Sequence, residues 1–343
     1  VGAHLLQRLL VFDAEALLLV HDHQAEVFER EVLGQQPVRA DDHIHGTGFD
    51  PLGRLLGFLG GLEAARVAAE RGHTVTVFEA AGNPGGQVRL LAQSKRRSDL
   101  VGIIDWSFEQ SSRLGVSFHF NTWAEKATVL AGNPDVVVVA TGGFPKVDGL
   151  KSGDELVVSA WDILSGDVKP GRDVLIYDEV GDHVALQAAE LVGEAGASVE
   201  IMTADRSFAP EVMGMNLVPY VRNLQTIGAR FTVTCRLDSV RQDGNRLSAQ
   251  IGSDYGTATT EQSHDQIVVN RGITPMDDLY FELKPQASNL GEVDYDALVS
   301  GAGDLFPCRN PSGSFILYRI GDAVSCRNIH AAIYDAKRFG VRY

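Results

Sequence analysis

A helix followed directly by a strand, in residues 57–79, constrains this chain more than any other stretch. Small apolar residues recur along its first half and predict a helix that ends at Gly72. The run TVTVF at 74–78 is β-branched and aromatic, and predicts a strand that delivers Glu79 at its carboxyl end. In dinucleotide folds an acidic residue at that position, roughly 20 residues after a glycine turn, binds a ribose hydroxyl. The stretch therefore predicts the second half of a nucleotide-binding βαβ unit.

The glycine turn that should open this unit is incomplete. A G-x-G-x-x-G fingerprint counted back from Gly61 requires glycines at two positions where the chain has Leu56 and Phe58. A phenylalanine ring there would stand where a pyrophosphate approaches the backbone. Residues 50–54 contain no β-rich run, so we expect the first strand to be lost and the sheet to carry an open slot. Gly60 and Gly61 remain as candidates for a cofactor contact at the helix start, where free N–H groups favour a phosphate.

Residues 1–55 do not share the pattern of the rest of the chain. The stretch from Leu5 to Val20 is compatible with a helix. Four histidines stand near aspartates: His21, His23, His43 and His45. Three interpretations are open: an irregular arm, a metal-binding arm, or a segment foreign to the fold, such as an out-of-frame translation. The irregular arm is favoured over the metal site, and the foreign segment accounts best for the change of pattern near Gly60.

Composition limits the classes of function. The chain has 343 residues, enough for two domains with sizeable cores. Its net charge of −15 argues against nucleic acid or an anionic membrane as a partner. Cys235, Cys308 and Cys326 are far apart and form no C-x-x-C, which argues against a zinc site or an iron–sulfur cluster. No apolar run is long enough to span a bilayer, and no signal-peptide pattern opens the sequence, so we expect a cytoplasmic protein.

Three further turns follow predicted strands and extend the candidate site. The loop NPGGQ comes directly after the ribose acid, and its adjacent glycines let backbone lie against a ligand. The apolar run DVVVVA is typical of a central parallel strand and leads into the turn TGG. The strand FILYRI is followed by a Gly-Asp pair at the start of a predicted helix. The candidate cofactor-binding residues are Gly60, Gly61, Glu79, Gly85, Gly86, Gln87, Thr141, Gly142, Gly143 and Asp322.

A second βαβ unit begins with the strand DVLIYD at 173–178 and continues through a helix into the strand SVEIMT. Its fingerprint positions hold Val180, Asp182 and Ala185 instead of glycines. Asp182 would face a pyrophosphate with like charge, at a cost of about 4 kcal/mol for ~4 Å and an effective dielectric of ~20. We therefore expect NAD(P)H to bind this unit poorly. Short strands over residues 230–269, with a hairpin turn at Gly244, predict a β-meander that closes the unit.

From Gly60 to its end the chain resembles the C-terminal FAD/NAD(P)-binding half of the Old Yellow Enzyme-related NADH:flavin oxidoreductases. This family includes 2,4-dienoyl-CoA reductase, trimethylamine dehydrogenase and the N-methylproline demethylases. The segments that carry the resemblance are GLEAARVAAERGHTVTVFEA, NPGGQ, VVVVATGG and YRIGDA. The second unit, DVLIYDEVGDHVALQAAE, is most similar to the demethylase and amine-dehydrogenase branch.

The resemblance implies an α/β fold with two Rossmann-like dinucleotide-binding units, the second inserted in the first, and a short β-meander. The implied boundaries are an atypical arm at 1–55, an FAD- or ADP-binding domain at 56–150 and 266–343, and an inserted NAD(P)-binding-like domain at 151–265. By this resemblance Glu79 binds the adenosine ribose, the NPGG and ATGG turns line the dinucleotide, and Asp322 contacts the flavin side of FAD.

The resemblance also implies a function. The chain would be the dinucleotide-binding and electron-transfer portion of an FAD-dependent, N-methylproline demethylase-like or amine-dehydrogenase-like oxidoreductase. It has no room for the family's FMN barrel and no cysteine cluster for its 4Fe–4S centre, so its partners would be a nicotinamide or flavin electron carrier and a missing barrel portion. No catalytic residue can be named. The alternative is a non-catalytic fragment whose vestigial nucleotide site holds ADP or nothing, as Leu56, Phe58 and Asp182 suggest.

Overall fold

The computed structural model of the chain describes residues 8–13, 16–22 and 59–340. Leu56 and Phe58 lie outside these residues, as do His23, His43 and His45. The contacts divide the chain into two units. The first unit takes its described residues from 1–86, 106–142 and 276–343, and the second consists of 87–105 and 143–275.

The described strands and helices are numbered separately in chain order. The strands are β1 (Arg8–Asp13), β2 (Ala16–Asp22), β3 (His73–Phe78), β4 (Ser117–His119), β5 (Val136–Thr141), β6 (Gly143–Pro145), β7 (Val158–Ser159), β8 (Asp173–Asp178), β9 (Ser198–Thr203), β10 (Arg230–Thr232), β11 (Arg236–Asp243), β12 (Arg246–Ser253), β13 (Gly256–His264), β14 (Gln266–Asn270), β15 (Ile273–Pro275) and β16 (Ile316–Arg319). The helices are α1 (Leu59–Glu70), α2 (Gly86–Leu91), α3 (Val101–Arg113), α4 (Lys126–Ala131), α5 (Ala160–Leu164), α6 (His183–Glu194), α7 (Gly214–Thr226), α8 (Asp278–Leu283), α9 (Tyr295–Ser300) and α10 (Ile329–Gly340).

The sheet of the first unit is built around β5. Its strand order is β16-β5-β1-β2-β3-β4, with a further pairing between β1 and β3. All six residues of β5 are buried, as the uninterrupted apolar run predicts for a central parallel strand. The helix and strand predicted over residues 57–79 are present as α1 and β3, and α1 packs against α10. A Cβ added to Gly60 would lie 3.1 Å from the carbonyl oxygen of Ala332, so a small residue is needed where these helices meet.

The expectation that the first strand is lost is wrong. β1 runs parallel to β5, with Phe12 opposite Ala140, and it also pairs in parallel with β3. β2 folds back antiparallel to β1 and pairs antiparallel with β3. Residues 8–13 and 16–22 are therefore strands instead of the helix considered for Leu5 to Val20. The reason is tertiary: a slot between two strands offers backbone partners on both sides, and this outweighs the weak helix preference of a Leu-rich run.

The second unit contains a parallel sheet in the order β10-β9-β8-β14-β7. The predicted strand–helix–strand succession is β8, α6 and β9. The predicted meander is correct for β11 and β12, which pair antiparallel; β13, a strand that the sequence did not predict, completes this three-stranded sheet. The meander prediction is wrong for residues 230–234 and 266–270, because β10 pairs with β9 and β14 lies between β8 and β7 in the parallel sheet. The buried apolar run IVV of β14 suits a strand covered on both faces.

No helix in the part of the chain that the structure describes combines the length and the apolar character that crossing a bilayer requires.

Candidate functional site

The carboxyl end of β3 places Glu79 at the edge of the first unit's sheet. Its backbone is held in both directions, because its N–H donates to His119 at 2.9 Å and its carbonyl accepts from Thr122 at 3.0 Å. The side chain is buried, with 1% of the residue exposed, and Oε1 accepts from the N–H of Ala81 at 2.9 Å. The strand end thus presents a fixed, buried carboxylate, which is the acceptor that a ribose hydroxyl requires.

The loop after Glu79 needs glycine at two successive positions. Gly85 has φ of 121° and Gly86 has φ of 43°, a region that side-chain-bearing residues rarely adopt. α2 begins at Gly86, so Gln87 is the second residue of that helix. Gly85 and Gly86 end the first segment of the first unit, whereas Gln87 opens the first segment of the second unit.

The turn after β5 has two parts: Thr141 and Gly142 bond to a returning segment, whereas Gly143 packs against another strand. Gly142 has φ of 67°, and its carbonyl accepts from Met276 N–H at 3.0 Å. The hydroxyl of Thr141 donates to the carbonyl of Met276, so both residues are tied to the returning chain. Gly143 opens β6 in the second unit, where an added Cβ would lie 2.2 Å from Ile273 Cγ2. Close packing of β6 against β15 therefore accounts for Gly143 without a ligand.

Asp322 follows β16 in a single 3₁₀ turn, residues 321–323. Gly321 has φ of 61°, and its N–H donates to Asp335 Oδ2 at 3.2 Å. The carboxylate of Asp322 accepts from the N–H of Arg327 at 3.0 Å, which fixes the chain between the turn and α10. The Gly-Asp pair is thus a rigid corner at the end of a strand.

Strand register brings three of these corners to one edge of the first unit. β16 lies parallel to β5, with Arg319 opposite Val139, so the residues that follow both strands leave the sheet on the same side. β1 links β5 to β3, since Phe12 is opposite Ala140 and Val11 is opposite Phe78. The ends that carry Glu79, the Thr141–Gly142 turn and the Gly321–Asp322 turn therefore share the carboxyl edge, where open parallel sheets bind ligands.

Gly60 and Gly61 lie in the first turn of α1, and both are buried. The packing of Gly60 against Ala332 gives it a structural reason that is independent of any cofactor. The sequence reasoning did not anticipate Met276, whose backbone engages Thr141 and Gly142, because a single methionine in a returning segment carries no pattern.

The turn between β8 and α6 in the second unit contains two carboxyl groups. Asp182 is the N-cap of α6 and accepts from Val184 N–H at 2.9 Å, in the position where a phosphate would lie. Burial raises the pKa of Asp178 to about 6 and also raises the pKa of Asp182. Burial, with the nearby Arg97 guanidinium, lowers the pKa of His183 to about 4. The sequence reasoning singled out Asp182 but missed Asn270, which hydrogen-bonds to it at 3.1 Å.

A cavity of about 490 Å³ lies in the second unit and is lined by none of the predicted residues. Its charged side chains are already matched in pairs: Arg96 Nε lies 3.2 Å from Glu190, and Lys95 lies 3.4 Å from Glu194. Across residues 59–340 and the two described N-terminal strands, no group of three or more His, Cys, Asp and Glu residues is arranged to hold a metal ion.

No protein-family model matches the chain. The probable N-methylproline demethylase of Rhizobium meliloti is 62% identical over 278 residues, which are 81% of this chain and 41% of that protein. The N,N-dimethylglycine/sarcosine dehydrogenase of Chromohalobacter salexigens is 41% identical over 289 residues, 81% of this chain and 42% of that protein. The chain is related to the Old Yellow Enzyme group of flavin oxidoreductases. It spans about two fifths of the length of the curated relatives that it matches.

Solved structures give the same relationship at the level of the fold. A 2-naphthoyl-CoA reductase is 26% identical with a TM-score of 0.66, over 84% of this chain and 39% of that one. The thioredoxin reductase of Lactococcus lactis is 15% identical with a TM-score of 0.58, and the match covers 83% of this chain and 95% of that one. The second similarity concerns the fold alone. This chain and its relatives thus share an α/β architecture with parallel sheets.

Proposed function

We propose that the chain is the dinucleotide-binding and electron-transfer part of an N-methylproline demethylase-like or amine-dehydrogenase-like flavoenzyme, and that its first unit binds FAD. The observation that carries this proposal is the shared carboxyl edge of β3, β5 and β16. That edge combines a buried carboxylate with two glycine corners, which is the set of groups that a dinucleotide's hydroxyls and phosphates require. The 62% identity to a probable demethylase supports the same choice.

The residues present fit FAD by their chemistry. Glu79 is a fixed acceptor for the adenosine ribose. Gly85, Gly86 and Gly142 adopt positive φ and carry no side chain, so the backbone of these turns could face the cofactor directly. Asp322 offers a carboxylate on the flavin side. We propose cofactor binding for Gly60, Gly61 and Thr141 of the first unit as well, whereas Gln87 and Gly143, which lie in the second unit, remain predictions from the sequence. FAD, when bound, would supply reversible hydride and electron transfer.

The domain division belongs to the proposal. We assign FAD binding to the first unit, which contains most of residues 56–150 and 266–343, and an NAD(P)-binding-like fold to the second unit, which contains 151–265. The relatives are more than twice as long as the matched region, so we further propose that the substrate is handled by a portion outside this chain, such as an FMN barrel. The chain would exchange electrons with that flavin or another carrier, in the cytoplasm. It would have neither an iron–sulfur cluster nor a metal of its own.

A second candidate is a fragment that holds only ADP. The contacts of Thr141 with Met276 and of Asp322 with Arg327 favour this reading, because they engage within the chain two groups that the resemblance assigns to the cofactor. ADP lacks the flavin and would need only the Glu79 end of the site. This candidate predicts calorimetric binding of ADP together with no uptake of FAD.

The experiment is an FAD titration of three purified proteins: the wild-type chain, Glu79→Gln, and Glu109→Gln as a matched control on the exposed face of α3. Loss of the carboxylate removes a charge-assisted hydrogen bond, so we expect the Kd of Glu79→Gln to rise by roughly tenfold to a hundredfold. The control should bind as the wild type does. Equal affinity for all three proteins would contradict the assignment of Glu79.

A further inference from the structure

The turn between β8 and α6 has the position of a phosphate-binding turn, but its N–H groups are already engaged. The N–H groups of Val180 and Gly181 both donate to Oδ1 of Asp178 at 3.1 Å. The N–H of Val184, in the first turn of α6, donates to Oδ1 of Asp182 at 2.9 Å. In a dinucleotide-binding unit these backbone donors are the ones that face the pyrophosphate. Here carboxylates of the same chain take its place.

A single amide joins the two carboxylates. Nδ2 of Asn270 donates to Asp178 Oδ1 at 2.9 Å and to Asp182 Oδ1 at 3.1 Å. Asn270 is held opposite Asp178 by the parallel register of β14 on β8. Asp178 and Asn270 are almost completely buried, with 3% and 6% of each residue exposed. The arrangement is therefore built into the sheet and does not depend on a mobile surface side chain.

The outer side of the turn is covered as well. Gly181 has φ of 74°, and a Cβ added there would lie 2.4 Å from Cδ of Pro210. The N–H of Glu211 donates to the carbonyl of Gly181 at 3.1 Å. The neighbouring Ala209 has φ of 44°, a strained value for a residue with a side chain, which the fold maintains in order to close this segment over the turn.

We propose that Asp178 and Asp182 are built-in anions that occupy the phosphate-binding donors of the second unit and make it reject NADH and NADPH. These two residues, with Asn270 as their common donor, would determine nucleotide specificity. Electrons would then reach the chain through a flavin or a protein partner. The inference concerns the second unit and stands whether or not the first unit binds FAD.

The test is a titration of the full chain with NADH, and separately with NADPH, followed by the backbone amide resonances of Val180, Gly181 and Val184. These signals report the second unit alone, whereas Gly142 and Gly321 report the first. In the wild type we expect the three signals to remain unshifted up to about 1 mM nucleotide, a weak-binding limit. Saturable shifts with a Kd below that limit would overturn the inference.

The gain-of-binding arm uses Asp178→Asn combined with Asp182→Ser. Both changes remove the charge, and serine keeps an oxygen that can cap α6. We expect this variant to bind at least one of the two nucleotides with a Kd lowered by at least about tenfold relative to the wild type. Asp243→Asn, at the exposed end of β11, is the matched control and should leave the Kd for both nucleotides unchanged. If the double variant does not fold, the same titration is made with Asp182→Ser alone. A folded variant that binds neither NADH nor NADPH more tightly than the wild type would contradict the proposal.

Discussion

The side-chain amide of Asn289 pairs with the backbone of Leu317 in both directions. Nδ2 donates to the Leu317 carbonyl at 2.8 Å, and the Leu317 N–H donates to Oδ1 at 2.9 Å. β16 pairs with β5 along its other edge, so Asn289 satisfies backbone groups that β5 does not reach. One amide thereby holds the strand that leads to the Gly321–Asp322 corner.

Replacing Asn289 by alanine should strongly destabilise the first unit. The residue is fully buried, so the change leaves a buried N–H and a buried C=O of Leu317 without these partners. We expect a loss of about 2–4 kcal/mol in the free energy of unfolding, measured by urea denaturation. Asn216→Ala, at an exposed position of α7, is the control and should lie within about 0.5 kcal/mol of the wild type. A similarly small effect for Asn289→Ala would refute this role.

Gly143→Ala should weaken the pairing of β6 with β15. The new Cβ would lie 2.5 Å from the carbonyl oxygen of Thr274, which is backbone and cannot rotate away. We expect a loss of about 1–3 kcal/mol, seen as a lower Tm. Gly102→Ala in α3 is the control, because an added Cβ there meets nothing within 4 Å and a helical alanine is favoured over glycine. If both variants melted at or above the wild-type temperature, the packing explanation of Gly143 would be wrong.

Asp178 should make the chain less stable as the pH rises. Its folded pKa, about 6, lies above the ordinary value of 3.8, so between these pH values the folded state keeps a proton that the unfolded state releases. The free energy of unfolding should therefore fall from pH 4 to pH 7 by roughly 2 kcal/mol on this account. Asp178→Asn should remove this dependence, so its stability relative to the wild type should increase over that range. Asp243→Asn should leave the profile unaltered, and a wild-type profile in Asp178→Asn would exclude the mechanism.

His183 should act in the opposite direction. Its folded pKa, about 4, lies below the ordinary 6.5. Between pH 4 and pH 6.5 the unfolded state therefore binds a proton that the folded state does not bind. Its contribution favours the folded chain above pH 6.5 and is lost as the pH falls towards 4. His183→Gln should therefore gain stability relative to the wild type at low pH and lose that gain near pH 7. The exposed His330→Gln is the control, and a pH-independent difference for His183→Gln would rule out the titration.

The sequence predicted the elements whose side-chain pattern is typical of only one kind of structure. The runs DVVVVA and DVLIYD are uninterrupted and apolar, and a central parallel strand is the simplest structure that buries every residue of such a run. Strand β13, GTATTEQSH, escaped prediction because most of its residues are exposed on an antiparallel sheet and show no apolar alternation. β1 and β2 were misjudged because their Leu-rich run suits a helix or a strand, and only neighbouring strands decide between them.

Position along a strand guided the choice of the candidate site residues. Glu79, Thr141 and Asp322 were singled out because each lies at a recognisable strand end, and their role in cofactor binding stays a prediction. Asn270 and Asn289 were missed because an isolated asparagine forms its hydrogen bonds with residues 92 and 28 positions away, respectively, and nothing local marks it. Gly143 was assigned to the cofactor because it follows a glycine turn, although its contact with β15 gives a sufficient packing reason.

The most direct measurement of the central claim is the visible absorbance spectrum of the purified chain after addition of FAD and removal of excess cofactor. The account predicts a flavin spectrum at close to one equivalent of FAD per chain. Glu109→Gln should bind the same amount of FAD, and Glu79→Gln should bind less. It also predicts that NADH added without a partner leaves this spectrum unbleached, while a chemical reductant bleaches it. A colourless protein that retains no FAD would contradict the claim that the edge formed by Glu79, Thr141–Gly142 and Asp322 is a flavin-nucleotide site.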